Sequence, residues 1–408
     1  MNNQSILKIE KLLKKGVNIP NPDSVEIGSE INTDRISGEG VVIYSGCKIF
    51  GSSTLILKNT RIGYESPVTI EDCQIGTNVD IKGGFLRQAV LLDKVSIGYG
   101  SHIRVGTILE EKASIAHTVG LKHTILLPFV TLGSLINFCD CFMSGGTSRR
   151  DHSEVGSSYI HFNYTPNQDK ATASLIGDVP NGVMLNQRPI FLGGQGGLVG
   201  PCRLAFGTVI AAGSIYRKDE LRQGRLIFEG LRKSGNISYT PGICRSLKRI
   251  MANNIIYIAN LIALMQWYIH VRSKFISDDF PEVLFDGLKE KLNMAIDERI
   301  KRLKEFYQKN EFYDRWPELE ESFKKLRAEE GDQSLRDIFL EKINPGNRES
   351  GSDYISVIKG LESKDAESGT IWLQGIVDQI ILNVLKIIPF FEVPKVDVAA
   401  KRRKMHKK

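Results

Sequence analysis

The chain has 408 residues, 41% of them hydrophobic and 25% charged, an ordinary globular make-up that is too long for one compact core, so two domains are expected. A net charge of +7 is too modest to mark a nucleic-acid binder, and a basic tail accounts for much of it. The six cysteines, at 47, 73, 139, 141, 202 and 244, contain no CxxC pair, and Cys139 and Cys141 stand too close to form half of a zinc site, which excludes a disulfide framework and points to a reducing compartment, the cytoplasm.

Residues 1–20 read as a short amphipathic helix, with Ile6, Ile9, Leu12 and Leu13 on one side and no cleavable apolar core. From residue 21 to 238 a small aliphatic residue returns about every six positions, often followed by Gly. Val25-Glu-Ile-Gly, Thr60-Arg-Ile-Gly, Cys73-Gln-Ile-Gly and Val95-Ser-Ile-Gly are examples. One short strand and one turn per repeat cannot bury their own aliphatic side chain, so the units must stack into a column. The period therefore predicts a left-handed parallel β-helix, with Gly in the tight corners. A β-sandwich would space its strands by 8–12 residues, which this stretch does not.

Near residue 240 glycine becomes scarce and helical spacing takes over, so residues 239–395 are expected to form an α-helical domain. Arg245 to Ser273, Phe285 to Gln308, Pro317 to Glu330 and Ile371 to Ile388 are its helices. The first contains Asn253, Asn254, Asn260 and Gln266, and four amides favour a helix buried in protein over a membrane span. This domain is expected to cover the open end of the β-helix or to bind a partner. Residues 396–408 form a basic solvated tail.

One order of motifs is more specific than the hexapeptides. Arg104-Val-Gly-Thr is followed by Lys122, Asn163-Tyr164, Lys170, Ile176-Gly-Asp, Leu198-Val-Gly-Pro and Ile210-Ala-Ala-Gly. Over about residues 20–225 this resembles the C-terminal acetyltransferase domain of the bifunctional bacterial enzyme that makes UDP-N-acetylglucosamine, a left-handed β-helix acyltransferase. The resemblance implies that Arg104 and Lys122 hold the phosphate of a sugar phosphate or sugar nucleotide. A guanidinium fork and an ammonium suit phosphate oxygens. It further implies that Asn163, Tyr164 and Lys170 place the sugar and acyl group. Ala211 and Ala212 would line the track of acetyl-CoA or another acyl-CoA, a co-substrate with no tightly bound cofactor beside it. The same resemblance implies a homotrimer.

The family's general base is a histidine, and ungapped counting puts Ser134 at its position. A serine alone cannot take a proton near neutral pH. His152, in the inserted Arg149-Arg-Asp-His-Ser-Glu segment, and His161 are the candidate replacements, with Asn163 beside them. The nucleotide loop of the family's uridyltransferase half has no counterpart here, and Gly193-Gly-Gln-Gly-Gly lacks the P-loop ending. A rival reading is a non-catalytic sugar-nucleotide scaffold or sensor whose helical domain docks a partner. Another is a zinc-dependent lyase built on His102, His117 and His123.

Overall fold

The computed structural model describes residues 3–164, 170–228, 247–309, 313–344 and 353–388. Short parallel strands wind into a three-faced solenoid. Face one runs from Glu26–Ile27 to Ile215–Tyr216, face two from Leu55–Ile56 to Arg203–Leu204, and face three from Val42–Ile43 to Leu226–Ile227. Coils take close to eighteen residues: Ser96 lies opposite Ser114 and Gly197 opposite Ile215, while Ser114 lies opposite Thr131, seventeen on. Three hexapeptides thus make one turn, one per face. Two longer excursions interrupt this rhythm. One carries an antiparallel hairpin, Gly146–Ser148 with Asp151–His152. The other separates Ile160 from its partner Gly197.

Strand alternation sends every second side chain inward. On face one Ile49, Ile70, Leu86, Ile103, Leu121 and Phe138 stack coil upon coil and are fully buried. Glycine fills some of the corners, Gly63, Gly106 and Gly177 among them, and other residues fill as many. Gln88, Thr118, His123, Leu135 and Asp140 all turn with positive φ. Some glycines that follow an inward aliphatic residue, such as Gly98 and Gly193, meet a different demand. A Cβ on Gly98 would stand 2.5 Å from the backbone of Ala116, and one on Gly193 would stand 2.3 Å from Ala212 N. There the next coil leaves no room for a side chain, a demand separate from the positive-φ turn that Gly63, Gly106 and Gly177 supply after their aliphatic residues.

Helix α1 (Asn3–Lys15) covers the first coil. Ile9 and Leu12 join the solenoid core, while Lys15 Nζ donates to the carbonyls of Thr33, Asp34 and Ile36. Ile6 and Leu13, expected on the same apolar side, are exposed. Helix α2 (Val179–Gly182) is a single turn in the second excursion. Then come α3 (Leu247–His270), α4 (Glu282–Gln308), α5 (Trp316–Leu326), α6 (Gln333–Lys342), α7 (Tyr354–Lys359) and α8 (Ser363–Ile387).

These helices lie along the flank of the solenoid and not over its end. The outward residues of face two, Val90, Ile108, Ile125, Phe142 and Leu175, share one hydrophobic core with α3, α4 and α8. Face two is therefore apolar on both sides. Its strands are buried as parallel strands covered by helices must be. The four amides of α3 make the seam specific. Asn254 donates to Ala171 O at 2.9 Å, Asn260 accepts from Val179 N at 3.0 Å, Asn253 donates to Asp219, and Gln266 donates to Arg327 O. Both α3 and α8 are long and apolar enough to cross a membrane, but α3 is enclosed by protein along almost its whole length. Charged pairs close the same seam: Arg272 with Glu111 at 2.5 Å, and Arg299 with Asp140 at 2.7 Å.

Candidate functional site

Among the described residues the helices of the C-terminal region pack on face two, and face one brings most of the candidate residues together. It has two edges. At the edge toward face two, Arg104 follows the strand Ser101–Ile103 and Lys122 ends the strand Gly120–Lys122 one coil on. Arg104 Nη2 approaches Cys139 Sγ at 3.5 Å, and Cys139 lies opposite Lys122 in register. Burial pushes the Cys139 thiol above its ordinary range. Asn163 joins this edge by donating to Asp140 Oδ2 at 3.3 Å, and the other Asp140 oxygen accepts from Arg299 of α4. Arg299 also donates to the carbonyl of Lys170 at 3.4 Å. The helical region thus fixes the corner on which Asn163 sits, a link that no motif announced. Tyr164 is exposed beside it.

Between the edges the face is shallow at Gly120. A Cβ there would meet only Asn137 Oδ1, at 3.6 Å. His102 and Asn137 flank this bay, both pointing outward, with His102 edge-on to Phe85.

The edge toward face three is a stack of successive coils joined by backbone hydrogen bonds. Thr118 N donates to Tyr99 O, Leu135 N to His117 O, Ser158 N to Ser134 O, Gln195 N to Ser157 O and Gly213 N to Gly194 O. The residues standing one above another are therefore Tyr99, His117, Ser134, Ser157, Gly194 and Ala212. From Ala212 down to Ser134 only small side chains line it, a smooth strip that ends at the imidazole of His117. Ala211 and Ala212 head this strip, and the amide of Ala211 is itself bound to Ile227 O at 2.8 Å. Ser134 Oγ lies 2.8 Å from His117 Nδ1, and the His117 ring stacks on Tyr99 with centroids 5.5 Å apart and planes 7° apart.

The two candidate bases fare differently. His161 sits on an inward position of face one, between the outward Ile160 and Phe162, and is a rung of the internal column between Phe138 and Leu198. Its Nδ1 is 2.7 Å from Cys139 O and its Nε2 is 2.8 Å from Ser174 Oγ. A carbonyl only accepts, so Nδ1 carries the proton and Nε2 accepts from the Ser174 hydroxyl. Burial lowers its pKa to about 4. Both nitrogens are used and the ring is closed to solvent, so His161 meets no substrate. Spacing from Asn163 suggested it, and strand alternation removes it. His152 ends the hairpin of the first excursion. Arg149 of that hairpin donates to Lys112 O and Phe129 O, which fastens it over the corner between faces two and three. His152 is therefore off face one.

The three histidines of the zinc reading do not converge within the chain. His102 points outward mid-face and His117 is engaged by Ser134. His123 is buried on the opposite edge, its pKa lowered to about 4 by that burial. Among the described residues no cluster of three or more His, Cys, Asp or Glu is disposed to hold a metal ion.

No family model matches the chain. Among curated proteins it is similar to several named bifunctional protein GlmU. That of Thermotoga maritima is 30% identical over 213 residues, 52% of this chain and 42% of the relative. Those of Carboxydothermus hydrogenoformans and Trichlorobacter lovleyi are 26% and 24% identical over 212 and 210 residues, each covering about half of this chain. The chain spans about two fifths of the length of these curated relatives. They are of the bifunctional type whose acetyltransferase half the motif order resembles, and the parallel solenoid is consistent with that half.

Proposed function

We propose that the protein transfers an acyl group from acetyl-CoA or another acyl-CoA to an amino or hydroxyl group of a phosphorylated or nucleotide-linked sugar. The observation that carries this reading is the division of face one. Cations stand at one edge, a strip of small residues runs down the other, and a bay at Gly120 lies between them. Arg104 and Lys122 meet the phosphate with a forked and a point charge. Asn163, Tyr164 and Lys170 orient the sugar, and the thioester arm lies along Ala212, Gly194 and Ser157. A thioester brought beside a held nucleophile reacts as though intramolecular, which is where most of the gain in rate arises.

The reacting molecules define the bonds that change. The acceptor's lone pair attacks the thioester carbonyl, a C–N or C–O bond forms, the C–S bond breaks, and the acceptor's proton must leave. The exposed apolar residues of the last coils support the same reading. Ile160, Phe162 and Ile215 on face one, with Phe191, Val209 and Leu226 on face three, are exposed on the last coils, where a second copy would cover them. A closed trimer is the arrangement proposed. The five cysteines among the described residues are buried and unpaired, which fits a reducing cytoplasm.

The test is thiol release from acetyl-CoA in the presence of hexosamine phosphates and nucleotide-linked hexosamines, with the acceptor's mass followed. The expected result is an acylated acceptor and an Arg104→Ala variant whose KM rises at least tenfold. No thiol release with any acceptor would contradict it. A second reading, a sugar-nucleotide binder without turnover, is favoured by one observation: Ser134 stands where the resemblance calls for a basic histidine, and His161 is sealed in the core. Saturable binding of UDP-N-acetylglucosamine without thiol release would select it.

A further inference from the structure

We propose that His117 and Ser134 together form the proton-accepting pair of the site, Ser134 receiving the acceptor's proton and passing its own to His117 Nδ1. This rests on the acyl-transfer reading above. It supplies the base that the sequence lacks at position 134 from one coil below.

The geometry points there in three ways. The Oγ–Nδ1 separation of 2.8 Å is that of a made hydrogen bond, and it is the contact that lets a weak hydroxyl act through a neighbouring imidazole. Second, both partners are held. Tyr99 stacks flat on the imidazole, and the Ser134 amide donates to Ser157 Oγ at 3.1 Å. Their own turn is fixed from the adjacent coils, where Leu135 N is bound to His117 O and Ser158 N to Ser134 O. Third, the pair stands at the lower end of the small-residue strip and beside the Gly120 bay. A thioester lying down that strip brings its carbonyl to Ser134, and an acceptor held from Arg104 and Lys122 crosses the bay to the same point. His161 and His152 offer no comparable approach.

The step balances without another reagent. As the acceptor nitrogen or oxygen bonds to the acyl carbon, its proton moves to Ser134 Oγ while the Ser134 proton moves to His117 Nδ1. Collapse of the adduct breaks the C–S bond. The CoA sulfur leaves with the electron pair and takes the proton from His117, and the serine hydroxyl ends as it began. His117 must start with Nδ1 free and its proton on Nε2, the tautomer in which Ser134 donates to it.

The experiment compares wild type with His117→Gln, Ser134→Ala and the double variant, all as the full chain. Circular dichroism confirms the fold, and calorimetry checks UDP-N-acetylglucosamine binding. The expected result is a fall in kcat of about 10²–10⁴-fold for either single change, the range lost with a general base. KM should stay within about twofold, and the double variant should be no slower than the worse single one. Ser134→His, which places an imidazole directly at the site, should restore turnover in the His117→Gln background. A His117→Gln enzyme with wild-type kcat overturns the pair while leaving acyl transfer standing. An acyl group recovered on Ser134 itself by mass spectrometry also overturns it, because Ser134 would then be the nucleophile. A wild type that releases no thiol overturns the acyl-transfer reading and this inference with it.

Discussion

The molecule has two hydrophobic cores of different character, and they meet across a single layer of strands. Inside the solenoid each aliphatic residue touches the equivalent residue of the coils above and below, so that core is a one-dimensional stack. Outside face two, the core shared with the helices joins Phe142 and Ile125 to residues more than a hundred positions later, such as Tyr257 and Trp267. The first core is stabilised by repetition and interrupted by few polar groups. The second is registered by polar pins: Arg299 on Asp140, Arg272 on Glu111, Tyr268 on Glu110 at 2.6 Å, and the amides of α3. Repetition tolerates sliding by a coil, whereas a smooth apolar face laid against helices needs specific partners to fix its position.

Breaking the seam should have the largest effect. Arg299→Leu leaves the carboxylate of Asp140 buried without its partner, a change expected to cost about 3–5 kcal/mol. Adding Asp140→Asn should recover much of that loss, measured by denaturant unfolding. Hydrogen exchange should rise in α4 and face two before it rises in the first coils. The comparison would fail if the variant lost stability evenly along the solenoid.

A break in the stack comes next. Gly98→Ala forces a side chain against the Ala116 backbone and should cost about 3 kcal/mol. Here exchange should rise in the coils around residues 96–116 and spare α5 and α6. Equal stability of Gly98→Ala and wild type would mean the coils are not held at the observed separation.

The polar rung inside the stack gives a pH signature. The folded pKa of His161 is lowered to about 4, below the ordinary histidine value of about 6.5. Between those values the unfolded chain binds a proton that the folded chain does not, so this residue's contribution to stability is present above pH 6.5 and is lost as pH falls toward 4. Replacing it by His161→Leu removes that titration. Relative to wild type, the variant should gain up to about 3 kcal/mol between pH 6.5 and 4. A difference that stays constant over this range would place the ring in contact with solvent.

The smallest expected effect belongs to one pin of α3. Asn260→Ala leaves the Val179 amide without its acceptor and should cost about 1–3 kcal/mol, read from the unfolding midpoint at unchanged m-value.

What could be read from the sequence follows the same division. Hexapeptide spacing gives the solenoid because its core is local and periodic, and the motif order brings Arg104, Lys122 and Asn163 to one edge. Distance from Asn163 points to His161, and strand parity removes it. Ile160 and Phe162 outside fix His161 inside. Glycines after isoleucine turn the chain at Gly63 and Gly177, whereas the demand at Gly98 comes from a residue eighteen positions on. The place of the helices along face two also has a signal in the sequence. Ala89-Val-Leu-Leu, Thr107-Ile-Leu and Cys141-Phe-Met are apolar on both parities, which marks strands covered on both faces. The four amides of α3 mark a helix held in protein, but their partners, at Ala171, Val179, Asp219 and Arg327, lie far away in the chain. The His117–Ser134 contact needs the coil length to be known, because it joins positions seventeen apart that only stacking brings together.

The most direct measurement of the central claim, that face one holds a sugar phosphate from its cationic edge, is a calorimetric titration with UDP-N-acetylglucosamine of wild type, Arg104→Ala and Lys122→Ala. Saturable binding in the wild type that weakens at least tenfold in each variant, and falls with added salt, is the predicted result. Absence of binding in the wild type, or equal binding by all three proteins, would contradict it.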